Sequence, residues 1–323
     1  MSREILMQPL VSICIPTYNR AECLKETLSS IVCQEEFKDG YVEVVVSDNA
    51  STDNTEQVGS SYEKKYSGIH YYRNKKNILG ENLPLVLSRA SGKLRKLNND
   101  TAVLLPGSLK YLCEIEKKYE NDRPVIFFSN GKNYLKNTQD NEILTFRKFI
   151  RKMSFWVTWM PTFSIWDTDC DNIAENTAGC ELSLWHVVHL YLLGSRKDKI
   201  ALCQNPIMRV IVPGEKDISY GLYKVFYENY FKIIDSYVDK GIVTENDRDY
   251  LEKDLLINFF PYWIARSELN NSRFKYSKDE DLKKCVYDHY HNKPYWKEFL
   301  SVYKKAKVRI FVHDSINRIV GRK

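Results

Sequence analysis

Polar side chains gather at three points of this chain, each at the end of a short strand-like run, of which the first two are apolar. Thr17 and Asn19 follow the first run, Asp48 ends the second, and the triplet Asn-Asn-Asp at 98–100 follows a later one. Apolar runs of this length, rich in β-branched residues, are typical of buried strands in a parallel sheet. Ligands of open α/β sheets bind beyond the carboxyl ends of the strands. These carboxylate, amide and hydroxyl groups therefore predict a binding site at one edge of such a sheet.

The elements that must position these groups alternate between strand-like and helix-like patterns. The predicted strands cover residues 11–16, 42–46, 69–72, 93–97 and 124–128, and the predicted helices cover 22–34, 55–65, 80–90 and 106–119. The first of these helices has its apolar residues at the spacing of an amphipathic helix. The alternation predicts an α/β fold with a parallel sheet and right-handed crossovers.

The pattern changes after residue 213. Four long helix-like segments, with no clear strands between them, cover residues 220–240, 246–267, 278–290 and 295–320. We therefore predict two domains, an α/β domain at 1–213 and a helical domain at 214–323, with the boundary near Pro213-Gly214.

Composition restricts the class of protein. The chain has 323 residues, of which 43% are hydrophobic and 28% charged, as in ordinary globular proteins. Its eight cysteines form no C-x-x-C pair, which argues against a zinc or disulfide framework. The first residues lack an apolar leader and no apolar run reaches membrane-spanning length, so a cytoplasmic location is expected. A net charge of +6 is modest and no nucleic-acid-binding module is visible, so no nucleic-acid partner is predicted.

Four sequence blocks, taken in order, resemble the motif blocks of the family 2 glycosyltransferases. They are VSICIPTYNR at 11–20, SDNASTDNT at 47–55, NILGEN at 77–82 and LNNDTAVLLPGSL at 97–109. The resemblance implies the GT-A fold, a Rossmann-like nucleotide-binding open mixed sheet flanked by helices, here followed by a C-terminal helical domain. It also implies a nucleotide-sugar donor, carrying UDP, dTDP or GDP, and a glycan acceptor.

The resemblance further implies which residues bind the nucleotide of the donor. These residues are Pro16, Thr17, Tyr18, Asn19, Arg20, Asp48, Asn77, Gly80, Asn82, Asn98 and Asn99. Asp48 would accept a hydrogen bond from the N–H of uracil or thymine. Gly80 is expected to supply a positive φ or a close approach of the backbone to the donor. Structural alternatives stay open, since Tyr18 would also pack between sheet and helix and Gly80 would also serve a simple turn. Asp53 is expected to cap the helix that follows it.

Asn98-Asn99-Asp100 occupies the place of the D-x-D motif of these enzymes. The resemblance implies that Asp100 holds Mn²⁺ or Mg²⁺, which neutralises the charge that develops on the departing diphosphate. The first acid of the motif is replaced by Asn98, which leaves an amide as a ligand or a water-holder. Hard cations take few protein ligands and keep waters and phosphate oxygens, so one carboxylate suffices. An Asn-rich turn with Asp100 as a helix cap is the structural alternative.

An inverting transfer also needs a general base for the proton of the acceptor hydroxyl. Glu181, which follows a strand-like run at 161–166 and precedes a helix, fits the position of the family's acid. A helix-end glutamate is the competing interpretation. Other acids nearby are Asp167, Asp169 and Asp171. His186 and His189, on the same predicted helix, are expected to pack or bond locally rather than to hold zinc.

The expected reaction moves a hexose-type sugar to a hydroxyl of a growing glycan. The resemblance implies a surface polysaccharide such as O-antigen or capsule, whose acceptor is often carried on a lipid pyrophosphate at the inner face of the cytoplasmic membrane. The helical domain would then contact the acceptor, form a homo-oligomer or touch the membrane, the last through the basic tail at 295–323. A nicotinamide-binding Rossmann enzyme is excluded because the first turn, PTYNR, contains no glycine. A non-catalytic sugar-nucleotide-binding or scaffolding member of the same fold is the remaining alternative.

Overall fold

The computed structural model describes residues 8–131, 140–211, 216–217, 220–269, 274–275 and 280–319. The chain divides into two compact units, Met1–Pro213 and Gly214–Lys323. Pro213 and Gly214 themselves, where the sequence places the boundary, lie outside the described residues.

The first unit alternates strands and helices over most of its length. Its elements are β1 (Val11–Thr17), α1 (Ala21–Val32), α2 (Glu35–Lys38), β2 (Val42–Asp48), α3 (Thr55–Lys65), β3 (Ile69–Arg73), α4 (Asn82–Ser88), β4 (Leu94–Leu97), β5 (Ala102–Leu104), α5 (Ser108–Tyr119), β6 (Val125–Phe128), β7 (Glu142–Leu144), α6 (Phe146–Met153), β8 (Ser164–Trp166), α7 (Trp185–Lys197), β9 (Ile200–Cys203) and β10 (Met208–Val210).

The main sheet contains five strands in the order β3-β2-β1-β4-β8. The first four run parallel, and β8 closes one edge antiparallel to β4. Thr17 lies opposite Asp48 in the register of β1 and β2, and Cys14 lies opposite Leu97 in that of β1 and β4. The predicted binding residues therefore leave the sheet at the same edge.

One apolar core cluster packs β1 against α1. Val11, Ile13 and Ile15 of β1 are fully buried, and they belong to one apolar cluster with Leu24 and Leu28 of α1. These helix residues are four apart and so lie on one face. The predicted amphipathic helix thus covers the sheet with its apolar side.

The predicted strand at 124–128 forms as β6, but it does not join the main sheet. It pairs in parallel with β9, which pairs antiparallel with β7, in a separate three-stranded sheet. A further antiparallel pair joins β5 to β10. The expectation of one continuous parallel sheet is wrong at this point, because the partners of β6 and β5 come from segments much later in the chain.

The second unit is mainly helical. It contains β11 (Lys216–Asp217), a π-helical segment (Lys224–Asn229), α8 (Tyr230–Asp239), α9 (Glu245–Asn258), α10 (Phe260–Glu268), β12 (Phe274–Lys275), α11 (Leu282–Tyr290) and α12 (Trp296–Ile319). The sequence did not predict the short parallel pair of β11 and β12. Among the helices of the described residues, none combines the length and the apolar character needed to cross a bilayer.

A buried carboxylate organises the centre of this helical unit. Glu252 accepts hydrogen bonds from the hydroxyl of Tyr227 at 3.0 Å, from Nε2 of His289 at 3.0 Å and from Nζ of Lys293 at 2.9 Å. Burial alone would raise the pKa of Glu252, but the hydrogen bonds from His289 and Lys293 hold that pKa at about 2. The charged form of Glu252 therefore stabilises the fold of this unit.

We expect Glu252→Gln to lower the free energy of unfolding by about 3 kcal/mol at pH 7, because it removes the buried charge that accepts hydrogen bonds from His289 and Lys293. The folded pKa lies below the ordinary value of 4.5, so this contribution is complete above about pH 4.5 and is lost as the pH falls towards about 2. Urea unfolding at pH 7 and at pH 3 measures both effects. Glu228→Gln, which removes an exposed partner of Lys224, is the control and should change stability by less than about 0.5 kcal/mol. Equal losses in the two variants would contradict the prediction.

Candidate active site

The ends of β1 and β4 meet around the carboxylate of Asp100. The backbone N–H of Asn98 donates to the carbonyl of Cys14, which holds the start of the segment after β4 beside β1. The Thr17 hydroxyl donates to Oδ2 of Asp100 at 3.0 Å, and Nη1 of Arg20 donates to Oδ1 at 3.3 Å. Asp100 itself is buried. Thr17 and Arg20 of the first sequence block thus both contact Asp100 of the fourth block.

Tyr18 and Asn19 complete the turn after β1. The Tyr18 side chain is 43% exposed, so it does not pack between sheet and helix. Asn19 adopts a left-handed conformation, with φ of 51°, and its Oδ1 accepts from the backbone N–H of Thr52 at 2.7 Å. The turn is therefore tied to the loop after β2 and leaves an aromatic ring open at the strand ends.

Asp53 serves two helices rather than one. Its carboxylate accepts from the backbone N–H of Thr55 at 3.0 Å, at the start of α3, and from that of Ala21 at 3.1 Å, at the start of α1. Burial opposes ionisation, but the hydrogen bond from the Thr55 hydroxyl and the two from the backbone lower the pKa of Asp53. Asp53 therefore has a structural role. The sequence predicted its contact with the start of α3, but not the one with the start of α1.

Asp48 is fully buried at the end of β2, with both carboxylate oxygens bonded to the protein. Oδ1 accepts from the backbone N–H of Ser51 at 3.0 Å, and Oδ2 accepts from the Tyr71 hydroxyl at 2.6 Å. Burial and the carboxylate of Asp48 raise the pKa of Tyr71. A base contact by Asp48 remains a prediction, and because the side chain is fully buried it requires a local rearrangement that exposes a carboxylate oxygen.

The place of Tyr71 depends on a glycine in α3. A Cβ atom on Gly59 would lie 2.2 Å from Cδ2 of Tyr71, well inside van der Waals contact. Gly59 therefore leaves room for the ring that reaches Asp48. Neither Gly59 nor Tyr71 was predicted from the sequence, because nothing in a polar helix indicates that a glycine faces a neighbouring strand.

We expect Gly59→Ala to lower the free energy of unfolding by about 1–3 kcal/mol, because the clash with Tyr71 outweighs the better helix propensity of alanine. The matched test is the same substitution in a Tyr71→Ala background, where the ring is gone. There alanine should stabilise the chain by up to about 1 kcal/mol. Urea unfolding of the four proteins checks the reversal of sign, and a Gly59→Ala effect of one sign in both backgrounds would contradict it.

An asparagine network fastens the third sequence block to the end of β2. Oδ1 of Asn77 accepts from Nδ2 of Asn49 at 2.7 Å, and Oδ1 of the buried Asn82 accepts from Nδ2 of Asn74 at 2.9 Å. Nδ2 of Asn82 donates to the backbone carbonyl of Ser47 at 2.8 Å. Asn77 and Asn82 thus hold this loop in place, and direct donor contacts by them remain a prediction. Asn74 was not predicted from the sequence, although the high density of asparagines at 74–82 could have indicated a hydrogen-bond network.

The candidate base lies beside the same loop. Glu181 is exposed in a turn that ends before α7, and its Oε2 accepts from the backbone N–H of Gly179 at 3.0 Å. A Cβ atom on Gly80 would lie 3.5 Å from the carbonyl oxygen of Cys180, so the third block contacts the turn that carries Glu181. Leu79, not Gly80, adopts the positive φ, of 51°, in this loop. The suggestion that Gly80 supplies a positive φ is therefore wrong.

A second carboxylate, that of Glu81, acts on the same turn as Glu181. Burial, together with the charges of Glu81 and Glu181, raises the pKa of the Cys180 thiol to about 11. Glu81 is exposed and belongs to the block NILGEN, but it was not predicted as a general base from the sequence.

Two of the alternative acids are engaged elsewhere. Asp167 pairs with Arg123 at 2.8 Å, and Asp169 pairs with Lys197 at 2.5 Å. A carboxylate oxygen held by a cation of the protein is less free to reach a substrate hydroxyl. Glu181 and Glu81 are the better candidates on this ground.

The two histidines of α7 are buried. Nε2 of His186 bonds to the carbonyl of Thr158 at 3.0 Å, and Nδ1 of His189 bonds to the carbonyl of Trp185 at 2.9 Å. Burial lowers the pKa of His186 to about 4, so its ring is neutral near pH 7. His189 thus bonds within its own helix, whereas His186 bonds to a segment 28 residues earlier in the chain.

Residues 12–180, just over half of the chain, match the family model described as Glycosyl transferase family 2. The chain belongs to this family. Its similarity to individual relatives is confined to short stretches. It is 49% identical over 70 residues to the abequosyltransferase RfbV of Salmonella typhimurium, which is 21% of each chain. It is 34% identical over 108 residues to the GalNAc(5)-diNAcBac-PP-undecaprenol beta-1,3-glucosyltransferase of Campylobacter jejuni, which is 33% of this chain and 34% of the relative.

Solved structures show the GT-A fold for this family 2 member. TarS 1-349 of S. aureus in complex with UDP-GlcNAc superposes with a TM-score of 0.54 at 18% identity, covering 92% of this chain and 81% of TarS 1-349. The mannosyltransferase PcManGT of Pyrobaculum calidifontis, in complex with GDP-Man and Mn²⁺, gives a TM-score of 0.52 at 14% identity, covering 93% and 87% of the two chains. The predicted fold class is confirmed.

The residues around Asp100 have donor atoms of the type that a hard divalent cation binds. Nδ2 of Asn98 donates to the carbonyls of Asn99 and Ala102, both at 2.9 Å, while its buried Oδ1 has no hydrogen-bond partner among the described residues. An amide oxygen and a carboxylate suit Mn²⁺ or Mg²⁺, which fill their remaining positions with water and phosphate oxygens. No cluster of three or more His, Cys, Asp or Glu side chains that suits a metal occurs in the described part of the chain. Any metal here would depend on few protein ligands.

One cavity, of about 370 Å³, lies along α1. It is lined by Glu22, Cys23, Lys25, Glu26, Ser29 and Ile211. The predicted donor residues do not line it, although the backbone N–H of Ile211 donates to the carbonyl of Thr101, next to Asp100.

Proposed function

We propose that this chain is an inverting glycosyltransferase that moves one hexose-type sugar from a nucleoside-diphosphate sugar to a hydroxyl of a glycan. The observation that carries the proposal is the shared contact of Thr17, Arg20 and Asp100, which unites two motif blocks at the edge of the sheet. Open α/β sheets bind nucleotides at this edge. Membership of family 2 supports the same activity.

The side chains of Asp100 and Asn98 would hold Mn²⁺ or Mg²⁺. When bound, the metal neutralises negative charge on the diphosphate of the donor. Arg20 lies within hydrogen-bond distance of Asp100 and would orient a phosphate oxygen, while the exposed ring of Tyr18 would lie against the base or ribose.

Glu181 would accept the proton of the attacking hydroxyl. The hydroxyl oxygen forms a bond to the anomeric carbon, the bond from that carbon to the phosphate oxygen breaks, and the nucleoside diphosphate leaves with the electron pair. Support for Glu181 is its exposure and the anchoring of one oxygen on Gly179, which fixes the carboxylate in the turn.

The acceptor in this proposal is a glycan of a surface polysaccharide such as O-antigen or capsule, carried on a lipid pyrophosphate at the cytoplasmic face of the membrane. The name of the C. jejuni relative describes an acceptor linked through PP to undecaprenol, and the S. typhimurium relative is an abequosyltransferase. Because the alignments cover only 21% and 34% of the two relatives, these similarities support only the class of acceptor.

The test is a panel of UDP-, dTDP- and GDP-sugars, measured by thermal shift and by release of nucleoside diphosphate, with Mn²⁺ and with EDTA. A bound donor should raise the melting temperature by mass action, and Mn²⁺ should stimulate release. A donor that stabilises the protein with no metal-stimulated release would overturn the proposal in favour of a non-catalytic binding protein.

A further inference from the structure

The last helix, α12, carries apolar side chains on two opposite sides. On one side Phe299 and Ile310 are buried, and the hydroxyl of Tyr303 donates to Glu268 of α10. On the other side Val308 and Phe311 are each 62% exposed. The helix therefore has one packed side and one largely exposed side.

The exposed side chains form one continuous face. Val308, Phe311 and Val312, the last 47% exposed, are spaced three and four residues apart and so lie together on the helix surface. Lys304 and Lys305 are exposed one turn earlier, four and three residues before Val308. We call these five residues the basic-apolar face.

The charge of this face is not balanced by acids. Within the described residues, Lys304 and Lys305 form no ion pair, whereas Lys307 on the packed side bonds to Glu268 at 2.8 Å. From Lys304 to His313 the sequence contains no acidic residue. The face therefore presents positive charge beside apolar side chains.

We propose that the basic-apolar face of α12 docks on an anionic lipid surface. Stable protein interfaces bury about 800 Å² on each partner, more than a few side chains on one helix provide. A lipid surface needs no such area, since valine and phenylalanine insert at the headgroup boundary while lysines reach anionic headgroups.

The structure restricts the predicted membrane contact to a part of the basic tail at 295–323. The aromatic residues at the start of α12 stack on one another, with ring centroids of Trp296 and Phe299 4.6 Å apart, and Tyr295 donates to Glu252 at 3.3 Å. Phe299 is buried and Tyr295 and Trp296 are partly buried, so the proposed contact lies in the later turns of α12.

Co-sedimentation of the full chain with vesicles tests the proposal. We expect binding to phosphatidylcholine vesicles rich in phosphatidylglycerol and little binding to phosphatidylcholine alone. Lys304→Glu with Lys305→Glu should weaken binding by at least about tenfold, and Val308→Asn with Val312→Asn should weaken it without changing the net charge. The matched control is Lys232→Glu with Lys240→Glu, an equal charge change at exposed lysines of α8 and its end.

Three outcomes would overturn the proposal. These are equal binding to neutral vesicles, an equal loss in the Lys232/Lys240 control, and vesicle binding that survives both substitutions in α12. Light scattering decides whether the face joins two copies of the chain, in which case Val308→Asn with Val312→Asn would dissociate a dimer and leave vesicle binding intact. None of these measurements uses sugar transfer, so the lipid contact and the proposed activity stand or fall separately.

Discussion

Asp100→Asn should lower the metal-stimulated release of nucleoside diphosphate by about 10²–10³-fold. The substitution keeps the size of the side chain and an oxygen for the Thr17 hydroxyl, but it removes the negative charge that a divalent cation binds. Release measured over a Mn²⁺ titration at saturating donor gives the size of the effect. The melting temperature, measured with Mn²⁺ and donor, should lose the increase seen in the parent protein.

The control for Asp100→Asn is Asp122→Asn, which removes an exposed acid of the same unit that pairs with Lys199 at 2.8 Å. It should keep parental release and the parental response to Mn²⁺. Metal-stimulated release near the parental rate in Asp100→Asn would remove Asp100 from the metal site and with it the observation that carries the proposed function.

Glu181→Gln should lose about 10²–10⁴-fold in turnover while donor binding stays close to normal. Glutamine still accepts the backbone N–H of Gly179, so the turn is kept, but an amide does not take up the proton of the acceptor hydroxyl. Turnover with acceptor and the thermal shift with donor alone separate the two effects.

Glu81→Gln is the matched variant for this experiment, because Glu81 is also exposed and its charge also acts on Cys180. It should retain most of the turnover. A fully active Glu181→Gln enzyme places the base elsewhere, and a loss confined to Glu81→Gln would identify Glu81 as that base.

The part of the site that follows from strand ends was predictable from sequence. β1 and β2 are runs of buried, largely β-branched residues, and parallel strands end at one edge, so Thr17 and Asp48 had to come close together. The contact of Thr17 with Asp100 follows from the same rule applied to β4.

Contacts that depend on side-chain packing were not predictable in this way. Tyr71 reaches Asp48 only because Gly59 leaves space, and no local pattern couples a helix glycine to a tyrosine of the next strand. The placement of β6 beside β9 also depends on pairing across a long stretch of chain, which periodicity does not encode. Local patterns define the elements, whereas the partners of distant elements come from packing.

The Arg20–Asp100 ion pair has a consequence for the order in which ligands associate. Arg20 already balances the buried carboxylate, so a divalent cation arriving alone must compete with a guanidinium that belongs to the protein. A donor that brings phosphate oxygens gives that guanidinium another acceptor and frees the carboxylate. Cation and nucleotide sugar would then each raise the affinity of the other by the same factor, as thermodynamic reciprocity requires.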